Sequence, residues 1–160
     1  MIAVWVGDGD LQAGVEKEIS SRGLRDHVTI TGWQDDVRPF VAAADLMLLP
    51  SLYESFGYVT AEAMAMGVPV VATKVTGTID IIRNDNLGVL FERGDWETGA
   101  DEIVRLLGSP DEMGRYGANG RDFVISTFTH ASMRENLRQE YLSRGPQLDV
   151  LPSNVSSGHP

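Results

Sequence analysis

Short apolar runs alternate along the chain with segments of helical periodicity. Leu46-Met47-Leu48-Leu49 is a continuous apolar run that stops at Pro50. Such a run suits a strand buried on both faces of a parallel sheet. Ser51 to Gly57 is polar and aromatic, which predicts a loop. From Tyr58 the period becomes helical, with Val59, Ala63 and Met66 on one face. Gly67 ends that helix, and Pro69 follows two residues later. Val68 to Ala72 is the next apolar strand. The unit reads β-loop-α-β, with its polar residues at the carboxyl end of the strand, where open α/β sheets bind ligands.

The same alternation extends in both directions. Ile2 to Val6 is a strand, Gly7-Asp8-Gly9-Asp10 a turn, and Leu11, Val15 and Ile19 mark a helix that Gly23 caps. His27 to Thr31 is the second strand, Gly32 to Asp36 a loop, and Val37 to Ala44 a short helix feeding the strand at Leu46. After Thr73, Lys74 to Gly77 forms another strand-to-helix loop. A short helix holds Ile79, Ile82 and Arg83 and breaks at Asn84-Asp85-Asn86. Gly88 to Phe91 is the last strand. Trp96 to Leu107 is amphipathic, with Ile103, Leu106 and Leu107 inward. Pro110 opens a further helical region continued by Phe123 to Phe128. Thr129 has the character of an N-cap for a final helix lined by Met133, Leu137 and Tyr141. From Gly145 onward Pro, Ser, Asn and Gly follow without period, which predicts a disordered tail over 145–160. Five strands alternating with helices predict an α/β fold over 1–144, a Rossmann-like parallel sheet with helices on both faces and right-handed crossovers.

Composition narrows the chemistry. A chain of 160 residues is one domain of ordinary size. The net charge of −10, with no basic stripe, argues against nucleic acid as a partner. The absence of cysteine rules out disulfides and thiolate metal sites and fits a reducing compartment. No apolar run reaches the roughly 20 residues that span a bilayer, and the N-terminus has no basic region or cleavage pattern. The expected compartment is the cytoplasm, with the membrane surface an alternative for the full-length protein.

Two carboxylates stand out, Glu54 in the loop and Glu62 inside the following helix. A helix N-terminus near Gly57 offers unpaired N–H groups and a positive dipole end, a ready anion site. Glu62 lies four residues past Tyr58, or roughly 6 Å along the axis. That is about the reach from a diphosphate to its ribose, whose hydroxyls an acceptor-only carboxylate can hold. Glu54 would lie on the other side of the phosphates. On spacing alone, two solvated carboxylates favouring the helix dipole are the more ordinary reading. Gly7-x-Gly9 lacks the third glycine of a dinucleotide fingerprint, which falls at Gln12. Asp8-Gly9-Asp10 spells an Asp-x-Asp pair, but in a strand-to-helix turn it reads as strand end and helix cap rather than metal site. Trp33, between Gly32 and Asp35, reads on residue type alone as a packed surface aromatic.

The string from Pro50 to Thr73 closely resembles the signature of the group 1 glycosyltransferases, the retaining family of GT-B fold. The family's glutamate, seven residues and second glutamate match Glu54-x7-Glu62, set in Pro50-Ser51, Phe56-Gly57, Glu62-Ala63-Met64-Ala65, Gly67 and Pro69-Val70-Val71-Ala72. The likeness extends from Ile2 to about Tyr141. Departures are Thr76-Gly77 for the family's paired glycine, Asp80 for its next glutamate and His130 for a frequent tryptophan.

The resemblance implies a donor-binding second domain. Glu54 would contact the donor sugar and act in catalysis. Ser55 and the N–H groups of Phe56, Gly57 and Tyr58 would meet the phosphates, and Glu62 the ribose. Gly32, Trp33 and Asp35 would border the base. The donor would be a UDP-, GDP- or ADP-sugar, with no metal and no other cofactor. The reaction would be sugar transfer to an acceptor hydroxyl with retention, by same-face attack in which the diphosphate assists proton removal. The resemblance further implies that a complementary N-terminal acceptor domain, and a first central strand carrying an arginine and a lysine, lie outside this chain. With the order 3-2-1-4-5-6, the half-sheets then either meet directly or leave open edges. Two alternatives remain, a non-catalytic nucleotide-binding module and a GT-B sugar-nucleotide epimerase.

Overall fold

The computed structural model describes residues 1–144, so the tail expected at 145–160 lies outside the described residues. In chain order the elements are β1 (Ala3–Trp5), α1 (Gln12–Ser21), β2 (Val28–Ile30), α2 (Arg38–Ala42), β3 (Met47–Leu49) and α3 (Tyr58–Ala65). There follow β4 (Val70–Thr73), α4 (Thr76–Ile81), β5 (Val89–Phe91), α5 (Trp96–Leu107), α6 (Pro110–Thr127) and α7 (His130–Arg144). Every strand pairing is parallel, as the continuous apolar runs require. The α/β class holds.

The strands divide into two sheets, β1-β2 and β3-β4-β5. Of the two outcomes open to the half-sheets, open edges is the one observed. Among the described residues β1 and β3 each keep one edge unpaired. Val4 is 51% exposed and Leu48 44%. No residue before Gly57 is buried.

The core gathers instead around β4, all four of whose residues are buried. Strand alternation sends Val70 and Ala72 to one face and Val71 to the other. The first face packs on Ala63 and Met64 of α3, Ile81 of α4 and Val124 of α6. The second meets Phe91, Leu106 of α5 and Tyr116 of α6. Each fully buried aliphatic side chain here contributes about 1.5–3 kcal/mol, so stability concentrates in the second half of the chain.

Helix α6 lies close against α3 because its contact positions are small. Gly117 and Gly120 are buried, and a Cβ at Gly120 would stand 3.3 Å from Met64 Cγ. Arg121 Nη1 donates to the Ala65 carbonyl at 2.5 Å, satisfying an orphan acceptor at the end of α3. Asn119 Nδ2 donates to Asn86 O at 3.1 Å, pinning the same helix to the segment before β5.

Several local expectations shift. The buried face of α3 is Thr60, Ala63 and Met64, while Val59 and Met66 are exposed. The helix is apolar nearly all round, so its own period does not choose a face and α6 does. Leu107 turns partly outward, although Leu106 is buried as expected. Asp10 does not cap α1. The Gly9 carbonyl accepts the Gln12 N–H at 3.0 Å, so backbone closes that turn and no side chain caps the helix. Thr129 does cap α7, its hydroxyl accepting the Ser132 N–H at 3.1 Å. Among the described residues no helix is long and apolar enough to cross a membrane.

Candidate donor site

The site is built where β3 ends and α3 begins. Gly57 opens α3 with φ +82°, a left-handed conformation that L side chains rarely adopt. No side chain caps α3. Its first-turn N–H groups therefore lack an intrahelical partner, and the positive end of the dipole faces the loop. Thr60, in that first turn, is fully buried, and its hydroxyl is the one buried side-chain polar atom without a partner among the described residues. An unpaired buried hydroxyl costs about 1–3 kcal/mol, and such local expense is characteristic of functional sites.

Two carboxylates flank this helix start. Glu54 is half-buried and Glu62 is exposed on α3. Among the described residues neither side chain makes a hydrogen bond or an ion pair, whereas Glu18, Asp36, Glu92, Glu102, Glu112 and Glu135 are all salt-bridged. Both are thus free acceptors.

Neighbouring elements hold the loop. Thr73 Oγ1 donates to Ser51 O at 2.5 Å, and Thr78 Oγ1 to Thr73 O at 2.5 Å, which ties α4 through β4 to the chain leaving β3. Gly77 N–H donates to Glu54 O at 3.0 Å. A Cβ at Gly77 would stand 2.8 Å from Phe56 N and C, and one at Gly57 would stand 2.9 Å from Gly77 O. These two backbones approach each other only because both residues are glycine. The sequence marks Gly77 merely as half of a departed glycine pair. Its signal, a glycine soon after an apolar strand, is too common to show a contact across the fold.

The Phe56 and Tyr58 rings pack at a tilt of 51°, with centroids 4.8 Å apart. Ser55 and Tyr58 are exposed. Gly32, Trp33 and Asp35 follow β2 on the other sheet and share no hydrogen bond with residues 54–62 among the described residues. Trp33 is 71% exposed and donates from Nε1 to Asp35 Oδ1 at 3.1 Å, so it is not a packed aromatic. Both groups nonetheless sit at carboxyl ends of parallel strands, the ligand-binding side of such sheets.

Beside the loop lies an open cleft of about 430 Å³, lined by Leu52, Tyr53, Lys74, Val75, Thr76, Glu92 and Arg93. Neither Glu54 nor Glu62 lines it. Lys74 pairs with Glu92 at 2.8 Å, and that hydrogen bond, then the charge, pushes the ammonium pKa up. Its side chain is half exposed as well as salt-bridged. Among the described residues no group of three or more His, Asp or Glu is placed to hold a metal ion.

Comparison with known proteins agrees with this fold. The family described as "Glycosyl transferases group 1" matches residues 2–109. The N-acetyl-alpha-D-glucosaminyl L-malate synthase of Bacillus anthracis is 37% identical over 123 residues, 77% of this chain and 32% of that protein. The lipopolysaccharide core biosynthesis glycosyltransferase LpsE of Rhizobium meliloti is 31% identical over 142 residues, 88% of this chain and 41% of that protein. Anabaena Alr3699/HepE, crystallised in complex with UDP, superposes with a TM-score of 0.81 at 26% identity, covering 91% of this chain and 41% of its own. The chain thus spans well under half the length of these relatives. With the loop, the paired glutamates and the parallel α/β frame all in place, the chain belongs to the group 1 glycosyltransferase family.

Proposed function

We propose that this chain is the donor-binding domain of a retaining GT-B glycosyltransferase, holding a nucleoside-diphosphate sugar for transfer to an acceptor hydroxyl. The observation that carries the reading is the uncapped N-terminus of α3 flanked by two unpaired carboxylates, Glu54 and Glu62. The N–H groups from Phe56 to Tyr58 receive the diphosphate, helped by the helix dipole. Glu62 accepts from the ribose hydroxyls. Glu54 lies on the sugar side and orients the transferring ring. Gly32, Trp33 and Asp35 border the base. UDP is the favoured nucleotide, since Alr3699/HepE is crystallised with UDP and with UDP-glucose.

Chemistry in this arrangement is orientation and charge stabilisation. An acceptor-binding domain completes the cleft, and a strand between β1 and β3 completes the sheet. The unpaired edges and exposed Val4 and Leu48 support that second point. They also favour a second reading, in which residues 1–144 alone bind nucleotide without turnover. The cytoplasm, including the membrane surface, is the proposed compartment.

Calorimetry with UDP and UDP-glucose tests the assignment. Glu62→Ala weakens both ligands by about 1–3 kcal/mol, the loss expected for a charged hydrogen-bonding partner. Unchanged affinity removes the ribose role. Glu54→Ala spares UDP and weakens UDP-glucose, and an equal loss for both contradicts a sugar contact.

A further inference from the structure

We propose that Phe128, at the junction of α6 and α7, is a positioning residue for the donor loop, an inference that rests on the donor-binding reading of Glu54 to Tyr58. Phe128 is remote from that loop in sequence but touches it in space. Its ring meets Phe56 edge-on, with centroids 5.7 Å apart and planes at 88°. Phe56 is the residue whose peptide joins the Glu54 side of the loop to Gly57, so the orientation of its ring is coupled to the direction of the phosphate-facing N–H groups.

Phe128 is itself held on several sides. Phe123 packs on it edge-on at 5.8 Å. The Arg83 guanidinium lies 5.6 Å from the Phe128 ring centre and 5.3 Å from that of Phe123. Arg83 Nε donates to Asp80 O at 2.9 Å, which anchors that cation beside α4. Ser132 Oγ donates to Ser126 O at 2.7 Å across the turn between α6 and α7. The donor loop is thereby gripped from two directions. The Gly77 amide holds Glu54 O through a backbone hydrogen bond, and the Phe128 ring holds Phe56 through aromatic contact.

Position and mere core packing make different predictions. Phe128→Leu keeps an apolar side chain but loses the edge-to-face geometry, and Phe128→Tyr keeps the ring. Phe91→Leu removes a buried ring from the second core cluster, away from Phe56. Amide exchange of Gly77 reports the grip on Glu54, and Ile82, which donates to Thr78 O at 2.8 Å near the other end of α4, is the internal reference. In Phe128→Leu, Gly77 exchange speeds up by about two- to tenfold with Ile82 unchanged, and UDP-glucose affinity falls by a similar factor. Phe128→Tyr restores both, and Phe91→Leu lowers the thermal midpoint without moving either. Arg83→Ala, at an exposed residue, gives a smaller change in the same direction and serves if Phe128→Leu does not fold. Unchanged Gly77 exchange in a folded variant overturns the proposal, as does an equal change in Phe91→Leu. If the wild-type chain binds neither UDP nor UDP-glucose, the donor reading fails, while the exchange comparison still decides whether Phe128 holds the loop.

Discussion

Gly77→Ala weakens UDP-glucose binding by at least about tenfold, the larger loss expected among the site variants. The backbone of Gly77 accepts alanine, since its φ is not in the left-handed region. The space does not. The new Cβ would stand 2.8 Å from Phe56 N and C and 2.9 Å from Glu54 Cβ. Two of those three atoms are main chain and cannot swing aside. The loop must therefore move, and its hydrogen bond from Gly77 N–H to Glu54 O is lost or stretched. Binding constellations tolerate roughly 0.5 Å of error, less than the displacement needed to restore ordinary contact. Thermal melting and calorimetry check this together. A midpoint within a few degrees of wild type with affinity lost identifies a displaced loop, whereas unchanged affinity shows that loop position does not matter to the donor.

Gly117→Ala lowers the thermal midpoint by roughly 5 °C or more, and the neighbouring Gly114→Ala raises it slightly. Both glycines lie in α6. Helix propensity alone favours alanine at either by about 0.5–1 kcal/mol. At Gly114 nothing stands within 4 Å of a Cβ, so that gain is kept. At Gly117 the Cβ would overlap the carbonyl oxygen of Gly67, whose N–H closes the turn after α3 by donating to Met64 O at 2.9 Å. Overpacking costs about 1–3 kcal/mol, occasionally more, and here the obstacle is backbone. The steric cost exceeds the propensity gain, so the two substitutions differ in sign. Equal midpoints for the two variants would show that α6 does not approach α3 this closely.

Much of the frame was legible because apolar runs and glycines carry it. The runs at Met47 to Leu49 and Val70 to Thr73 specify parallel strands, but only the second is buried, since the open edge leaves Leu48 exposed where burial on both faces was expected; Gly57 and Gly67 bracket α3 as read. Trp96 to Leu107 is helical over the expected span because its apolar stripe is narrow and well separated from its charged face. The orientation of α3 was not legible. Its alanines and methionines surround the helix, so the choice of buried face was left to the small residues of a helix about fifty positions later in sequence.

Within the site, the string around Glu54 and Glu62 showed which residues to consider, but not what holds them. Gly77 and Phe128 act through space, and neither a single glycine nor a single phenylalanine announces its partner. Asp10 failed as a cap because a glycine carbonyl had already taken the available N–H. The split between β1 and β3 followed from the family's strand order rather than from any local pattern in the residues.

The central claim is that the N-terminus of α3 receives the nucleotide. Its most direct test is a UDP titration of the folded chain followed by amide chemical shifts. The account predicts saturable shifts at Gly57, Tyr58, Val59 and Thr60. Shifts confined to Lys74, Thr76 and Arg93 around the open cleft, or no saturable shift in a folded chain, would contradict it.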